Sequence, residues 1–353
     1  MKWSFQLARI AGIDVRIHAT FFLLLAWFGY IYYAEGGYGA MVIGLSFIVL
    51  LFVCVVLHEF GHALAARAYG INTPDITLLP IGGIARLERM PDKPWQELVV
   101  ALAGPAVNVV IALGLYIVLG RFFGMGDLQE IAEGSGNLLA KLLAINVVLV
   151  VFNLLPAFPM DGGRVLRALL AMRLKHARAT AIAAFIGQGV AVLFGLFGLF
   201  GGNPFLIFIG VFVFFGARAE ASFAAYKENA EETHVATIMQ PMGPVLAPGM
   251  KVAEAAGLAM GGHAGLLPVT DSSLRLLAVV PASDLAGALR WDPAATIDTL
   301  LRHDFEVISS GASLAEAFAM ARPSAQAVFP VVNPEGQLVG WLGREDIERA
   351  LHP

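Results

Sequence analysis

The sequence predicts a multi-pass α-helical membrane domain of about six spans, followed by a C-terminal α/β domain built as a tandem repeat. Three observations carry this. The 353 residues are 58% hydrophobic and 14% charged, well outside the range of an ordinary soluble chain. Nearly all the long apolar runs fall between residues 18 and about 217, whereas 218–353 has the composition of a soluble protein. Residues 235–350 also match themselves at an offset of 62, the separation of Gly249 from Gly311.

Residues 1–17 are too polar and interrupted for the apolar core of a secretory signal. They read as a short hairpin turning at Ala11-Gly12 and lying at the membrane surface. The region 18–217 then holds six apolar segments, at roughly 18–34, 41–68, 95–120, 138–160, 180–200 and 204–217. The first and last are short for a bilayer that takes about 20 residues, which implies tilt or local thinning. Basic residues orient the spans. Lys2, Arg9 and Arg16 precede span one; Arg86, Arg89 and Lys93 follow span two; Arg164, Arg167, Arg173, Lys175 and Arg178 follow span four. The alternate loops are poor in them: 35–40 has none, and 121–137 has Arg121 against Asp127, Glu130 and Glu133. Both termini therefore face the cytoplasm of a multi-pass cell-membrane protein. Residues 218–234 read as a helical linker to the repeat domain at 235–353.

His58-Glu59-Phe60-Gly61-His62 ends the uncharged run 41–57. Each ionisable group costs roughly 3 kcal/mol to place at membrane depth, so such groups seldom occur there without a function. Positions i and i+4 share a helix face, which lets both imidazoles bind one metal. Glu59, rotated about 100° away, suits a general base beside that metal. Cys54, the single cysteine, precludes an internal disulfide. It lies one turn before His58, where a buried apolar role competes with a ligand role.

With span two running inward, a third ligand must come from the same depth. Span four runs inward too and ends in Asn153-Leu-Leu-Pro156-Ala-Phe-Pro159-Met-Asp161-Gly-Gly-Arg164. Its prolines and glycines break regular helix, and irregular backbone at membrane depth suits a water-filled cavity. Asp161 is the matching carboxylate, and two histidines plus one carboxylate leave a position open, as a catalytic zinc site requires. A helix cap paired with Arg164 is the plainer reading of Asp161. Asn108, in Gly104-Pro-Ala-Val-Asn108, and Asn153 are polar groups in apolar surroundings. Either satisfies a neighbouring helix backbone or hydrogen-bonds a substrate carbonyl or oxyanion. The stretch 78–87, with Pro80 and Gly82-Gly83, is either an ordinary hairpin or a re-entrant one whose edge holds an extended peptide.

These motifs, in this order over about residues 1–217, resemble those of the site-2 proteases, the zinc metalloproteases of regulated intramembrane proteolysis. The layout, with a cytoplasmic C-terminal domain, is similar to the subgroup containing the sporulation sigma-factor-processing protease. The resemblance implies one zinc ion per chain held by His58, His62 and Asp161, with Glu59 as base. It implies that Asn108 and Asn153 position the substrate backbone or stabilise the transition state. It also implies a membrane-bound protein substrate: a single-span protein, a transcription factor precursor or an anti-sigma factor. A net charge of −4 gives no sign of nucleic-acid binding.

In the tail, Leu267-Pro-Val-Thr-Asp matches Phe329-Pro-Val-Val-Asn, and Asp284-Leu285 matches Asp346-Ile347. This resembles a pair of CBS domains, which implies an adenosine nucleotide at Asp284 and Asp346, and a homodimer through the pair. The family's ribose-binding pattern has a hydroxyl residue three positions before the Asp, where this chain has Pro281 and Gly343. A dimerisation or docking module without nucleotide is the competing reading. CBS pairs also attach to channels and transporters, the alternative function, but that alternative leaves His58, Glu59, His62 and Asp161 without a joint purpose.

Overall fold

The first strand pair shows how the chain enters its membrane domain. β1 (Ser4–Ile10) and β2 (Ile13–His18) pair antiparallel from Ser4↔His18 to Ile10↔Ile13. Ala11 and Gly12 turn between them with φ of 51° and 82°, the two positive values of a tight hairpin. This is a computed structural model, and it describes residues 3–80, 82–91, 93–120, 137–259 and 265–351. Lys2, Ile81, His263, His352 and the loop charges Arg121, Asp127, Glu130 and Glu133 lie outside the described residues.

The hairpin does not stand alone. β3 (Asp75–Leu79) pairs parallel to β2, and β4 (Gly82–Ala85) pairs antiparallel to β3, giving a four-stranded sheet of order β1-β2-β3-β4. A parallel pair requires a crossover connection, and here it is α1 (Ala19–Ala68). Gly36 and Gly37 leave helical geometry inside α1, Gly37 with φ 70°. There the helix folds back on itself. Phe21 and Phe52 stack edge to face with centroids 4.6 Å apart, whereas a straight helix would separate them by about 46 Å. Phe21, Ile48, Phe52 and Leu78 form the core between the two halves.

The remaining apolar runs become α2 (Pro94–Leu119), α3 (Leu138–Asn153), α5 (His176–Phe200) and α6 (Pro204–Glu232). Between α3 and α5 the chain forms a short irregular stretch and then α4 (Asp161–Ala171). Their ends follow local chemistry. α2 begins on Pro94, whose missing N–H is no loss in a first turn, and ends on left-handed Gly120. α3 is capped by Asn137, whose side chain accepts from Leu139 N. Among the described residues, four helices (α1, α2, α5 and α6) are long and apolar enough to cross a membrane, and α3 is a shorter apolar helix. The expected linker 218–234 is largely the continuation of α6.

The chain divides into two compact units, Met1–Ser222 and Phe223–Pro353. In the second, the 62-residue offset reappears in three dimensions. α7 (Val252–Ala259), β5 (Leu266–Thr270) and β6 (Leu276–Pro281) recur as α9 (Leu314–Ala321), β7 (Val328–Val332) and β8 (Leu338–Gly343). Likewise α8 (Ala282–Trp291) corresponds to α10 (Arg344–Leu351). Each repeat has its own core, one around Leu246, Val252, Val269 and Leu285, the other around Leu314, Phe329, Val331 and Ile347.

Candidate metal centre and cleft

The second half of α1 presents different chemistry on different faces. Phe60 and Ala63 pack with Ile13, Val15 and Ile76 of the sheet. His58 and His62 turn toward α2 instead, and the two helices approach closely at two glycines. A Cβ at Gly61 would come within 2.6 Å of the Ala103 carbonyl oxygen. A Cβ at Gly104 would collide with His62 Nε2 and come within 2.7 Å of His58 Nε2. A side chain at position 104 would fill the space both imidazoles face, so the Gly-Pro motif keeps this space open.

α4 brings Asp161 to the same point from its first turn, where a carboxylate is favoured by the helix dipole. His58 Nε2 and His62 Nε2 are 3.1 Å apart, and each lies 3.2 Å from Asp161 Oδ2. All three residues are buried. They form a group whose ligand atoms lie within 4.8 Å of one another. A tetrahedral zinc with bonds of about 2.0–2.1 Å separates its ligand atoms by about 3.3 Å, so the triangle has the right size. Its donor set is right too. His62 Nδ1 donates to the Val100 carbonyl at 2.7 Å, which leaves Nε2 as an acceptor, the form a metal needs. The residues therefore fit zinc. Cys54 stands outside this group, its Sγ 3.4 Å from Asn146 Nδ2.

Glu59 is beside the triangle and partly buried. Its Oε2 accepts from Ala85 N at 3.3 Å, and Gly83 packs so close that a Cβ there would lie 2.8 Å from Glu59 Cγ. Arg86 N bonds back to Asp75 in β3. The alternate amides of β4, including Ala85, therefore point away from the sheet. The base and the open edge of β4 meet in one cleft of about 490 Å³. Its walls include His58, Glu59, His62, Asp161, residues 82–85, Asn153, Met160, Arg164 and Phe212.

Of the two asparagines marked by the sequence, Asn153 lines this cleft. Asn108 does not; it is fully buried behind His58, with Oδ1 2.5 Å from His58 Nδ1 and Nδ2 donating to Asn146 Oδ1 at 2.8 Å. Two groups near the site escape sequence reading. Asn146 is one; the other is a buried ion pair, Arg167 Nε to Glu97 at 2.7 Å. Arg167 also reaches Glu220 at 2.5 Å and lies over the Phe158 ring, 5.1 Å from its centroid. A loop charge by sequence, Arg167 ties α4 to α2 and α6.

The tail carboxylates are engaged by their own chain. Asp284 accepts from Arg302 at 2.6 Å and from Ser283 at 3.1 Å, and the Arg302 guanidinium holds its pKa below the usual carboxylate value. Asp346 accepts from Gly343 N at 3.1 Å and from Gln240 at 2.9 Å. A cleft of about 560 Å³ in this unit is lined by Pro281, Arg302, Asp304, Phe305, Ser324 and their neighbours, and neither Asp284 nor Asp346 is among its walls.

Comparison with known proteins places these features. The model of peptidase family M50 matches residues 46–134 and 119–196, and that of the CBS domain matches 297–353. A zinc metalloprotease of Methanocaldococcus jannaschii is 37% identical, over 72% of this chain and 71% of its own. The Synechocystis protein sll0528, assigned by name to the zinc metalloproteases, is 30% identical over 99% of this chain and 96% of its own. A solved site-2 protease structure from M. jannaschii aligns with 38% identity and a TM-score of 0.46, over 62% of this chain and 95% of that one. Identity at this level, sustained over most of the relatives' length, means that the chain belongs to peptidase family M50, the site-2 proteases, and carries a CBS domain at its C-terminal end.

Proposed function

We propose that this protein is an intramembrane zinc endopeptidase whose ligands are His58, His62 and Asp161 and whose general base is Glu59. The observation that carries the assignment is the triangle of His58 Nε2, His62 Nε2 and Asp161 Oδ2, with sides of 3.1–3.2 Å, beside Glu59 in a cleft. When bound, zinc supplies Lewis-acid chemistry to the oxygens it faces. Glu59 takes a proton from the attacking water. As the water oxygen bonds to the carbonyl carbon and the C–N bond breaks, Glu59 returns that proton to the leaving amine nitrogen. The Ala85 N–H donates to Glu59 Oε2 and so orients the carboxylate beside the triangle.

The substrate in this reading is a membrane-bound protein, of the single-span, transcription factor precursor or anti-sigma class. A helical segment hides its carbonyls in backbone bonds and must unwind first. The outward amides of β4 then offer it a strand to pair with, and Asn153 is placed to hydrogen-bond its backbone. Asn108, behind His58, serves the site by orienting the imidazole. The two halves of α1 together with α2, α3, α5 and α6 make six spans with both termini cytoplasmic, which puts the cleft toward that side. The tail acts as a tandem CBS pair. Occupation of Asp284 by Arg302 and of Asp346 by Gln240 favours docking or dimerisation over adenosine nucleotide binding. A channel would leave the buried triangle without a role.

The test is zinc content. Purified full-length protein should hold one zinc per chain and Asp161→Ala none; stoichiometric zinc in that variant would exclude Asp161 as an essential ligand.

A further inference from the structure

Behind His58 runs a chain of hydrogen bonds whose direction is set by one backbone carbonyl. Asn146 sits in the middle of α3 and is fully buried. Its Nδ2 lies 2.8 Å from the carbonyl oxygen of Leu142, one turn earlier. A carbonyl oxygen only accepts, so the amide nitrogen of Asn146 must face it, with Cys54 Sγ taking the second hydrogen at 3.4 Å. Asn146 Oδ1 then faces Asn108 at 2.8 Å. An oxygen there demands a donor, so Asn108 presents Nδ2 to it and turns Oδ1 toward His58 Nδ1, 2.5 Å away. His58 must in turn carry its proton on Nδ1. Its Nε2 is left as a lone pair aimed at the point where His62 Nε2 and Asp161 Oδ2 converge.

We propose that Asn146 is a positioning residue of the metal site: through Asn108 it dictates the tautomer of His58 that can ligate zinc. This deepens the assignment of the triangle as a zinc site and rests on it. The alternative states show why the relay matters. If Asn108 flips, its NH2 group faces His58 Nδ1, the ring proton moves to Nε2, and the ligand position is blocked. Nothing on Asn108 itself prevents that flip, because both ends of an amide fit the same space. Asn146 prevents it, because the flip would set two oxygens against each other where both side chains are fully buried and an unpaired polar group is costly. His62 needs no such relay, since its Nδ1 meets the Val100 carbonyl directly.

The test uses the full-length protein in lipid bilayers. Asn146→Leu keeps the branching of the side chain and removes both polar ends. Zinc affinity, read by competition with a chelator, should fall about 10- to 100-fold, the range for loss of an outer-shell partner. In the metal-free protein, ¹⁵N-histidine spectra should show His58 changing from a single Nδ1–H tautomer to a mixture. Asn146→Asp is the rescue. In its protonated form the acid offers one donor to Leu142 and one acceptor to Asn108, and both readouts should return close to wild type. Unchanged zinc affinity and tautomer in Asn146→Leu would overturn the relay, as would Asn146→Asp behaving like Asn146→Leu. Wild-type protein that takes up no zinc would instead sink the metal assignment itself.

Discussion

Glu59 and His58 are neighbours in sequence, yet their surroundings differ sharply. His58 is held from behind by a buried amide, whereas Glu59 opens into the cleft and touches the edge of β4. Gly104 is the residue on which the space faced by His58 and His62 depends, because any Cβ there strikes both Nε2 atoms. We predict that Gly104→Ala lowers zinc content well below one per chain while leaving helicity intact, as read by elemental analysis and circular dichroism. Full occupancy would mean that α1 and α2 can move apart. The grouping of His58 and His62 with Asp161 was legible in the sequence because a helical i, i+4 pair is a local pattern and Asp161 lies in a motif with its own turn residues. Asn146 was not. A lone asparagine in an apolar run says that some polar partner exists, but its partners come from α1 and α2 and appear only once the helices pack. The sequence equally leaves open whether Asn108 faces substrate or histidine, since that depends on which side of α2 is buried.

Among the elements, the long apolar helices and both hairpins were readable, and the joining of those hairpins into one sheet was not. Apolar runs of sufficient length mark the helices. Parallel pairing of β2 with β3, across the fifty residues of α1, has no local signature. The hairpin at Ala11-Gly12 did have one, and so did the repeat of the tail. Arg167 shows the opposite failure. A basic residue after a span reads as a loop charge, but this one is 2% exposed and paired with Glu97, itself 3% exposed. Removing one member of such a pair strands the other charge in a dry site, at a cost of roughly 3–5 kcal/mol. Arg167→Ala should therefore lower the melting temperature of the purified protein clearly, and Glu97→Gln in the same background should recover part of it. An Arg167→Ala protein as stable as wild type would show that Glu97 reaches water.

For the whole molecule, the fold of α1 at Gly36-Gly37 turns one apolar stretch into two antiparallel halves, as the separate segments 18–34 and 41–68 anticipate. The proposed topology, six spans with both ends inside, would place the turn at 35–40 on the outer face. Tyr38 is 71% exposed there, and Cys54, the only native cysteine, is buried. A Tyr38→Cys variant should react with a membrane-impermeant thiol reagent in intact cells, and a cysteine at exposed Ser273 in the tail only after lysis. The reverse pattern would invert the topology. Division of the chain into an apolar helical unit and a less apolar C-terminal one was plain from composition; whether the tail takes a nucleotide was not, because its repeat keeps both aspartates yet ties each to another side chain.

The central claim is that Glu59 performs proton transfer in a zinc-dependent peptide hydrolysis within the membrane. The most direct measurement is cleavage of a co-reconstituted single-span substrate by purified wild-type and Glu59→Gln protein, with bound zinc determined on the same samples. The account predicts equal zinc in both and a rate at least about 10²-fold to 10⁴-fold lower in Glu59→Gln, the loss expected for a general base. Cleavage by Glu59→Gln at the wild-type rate would contradict it.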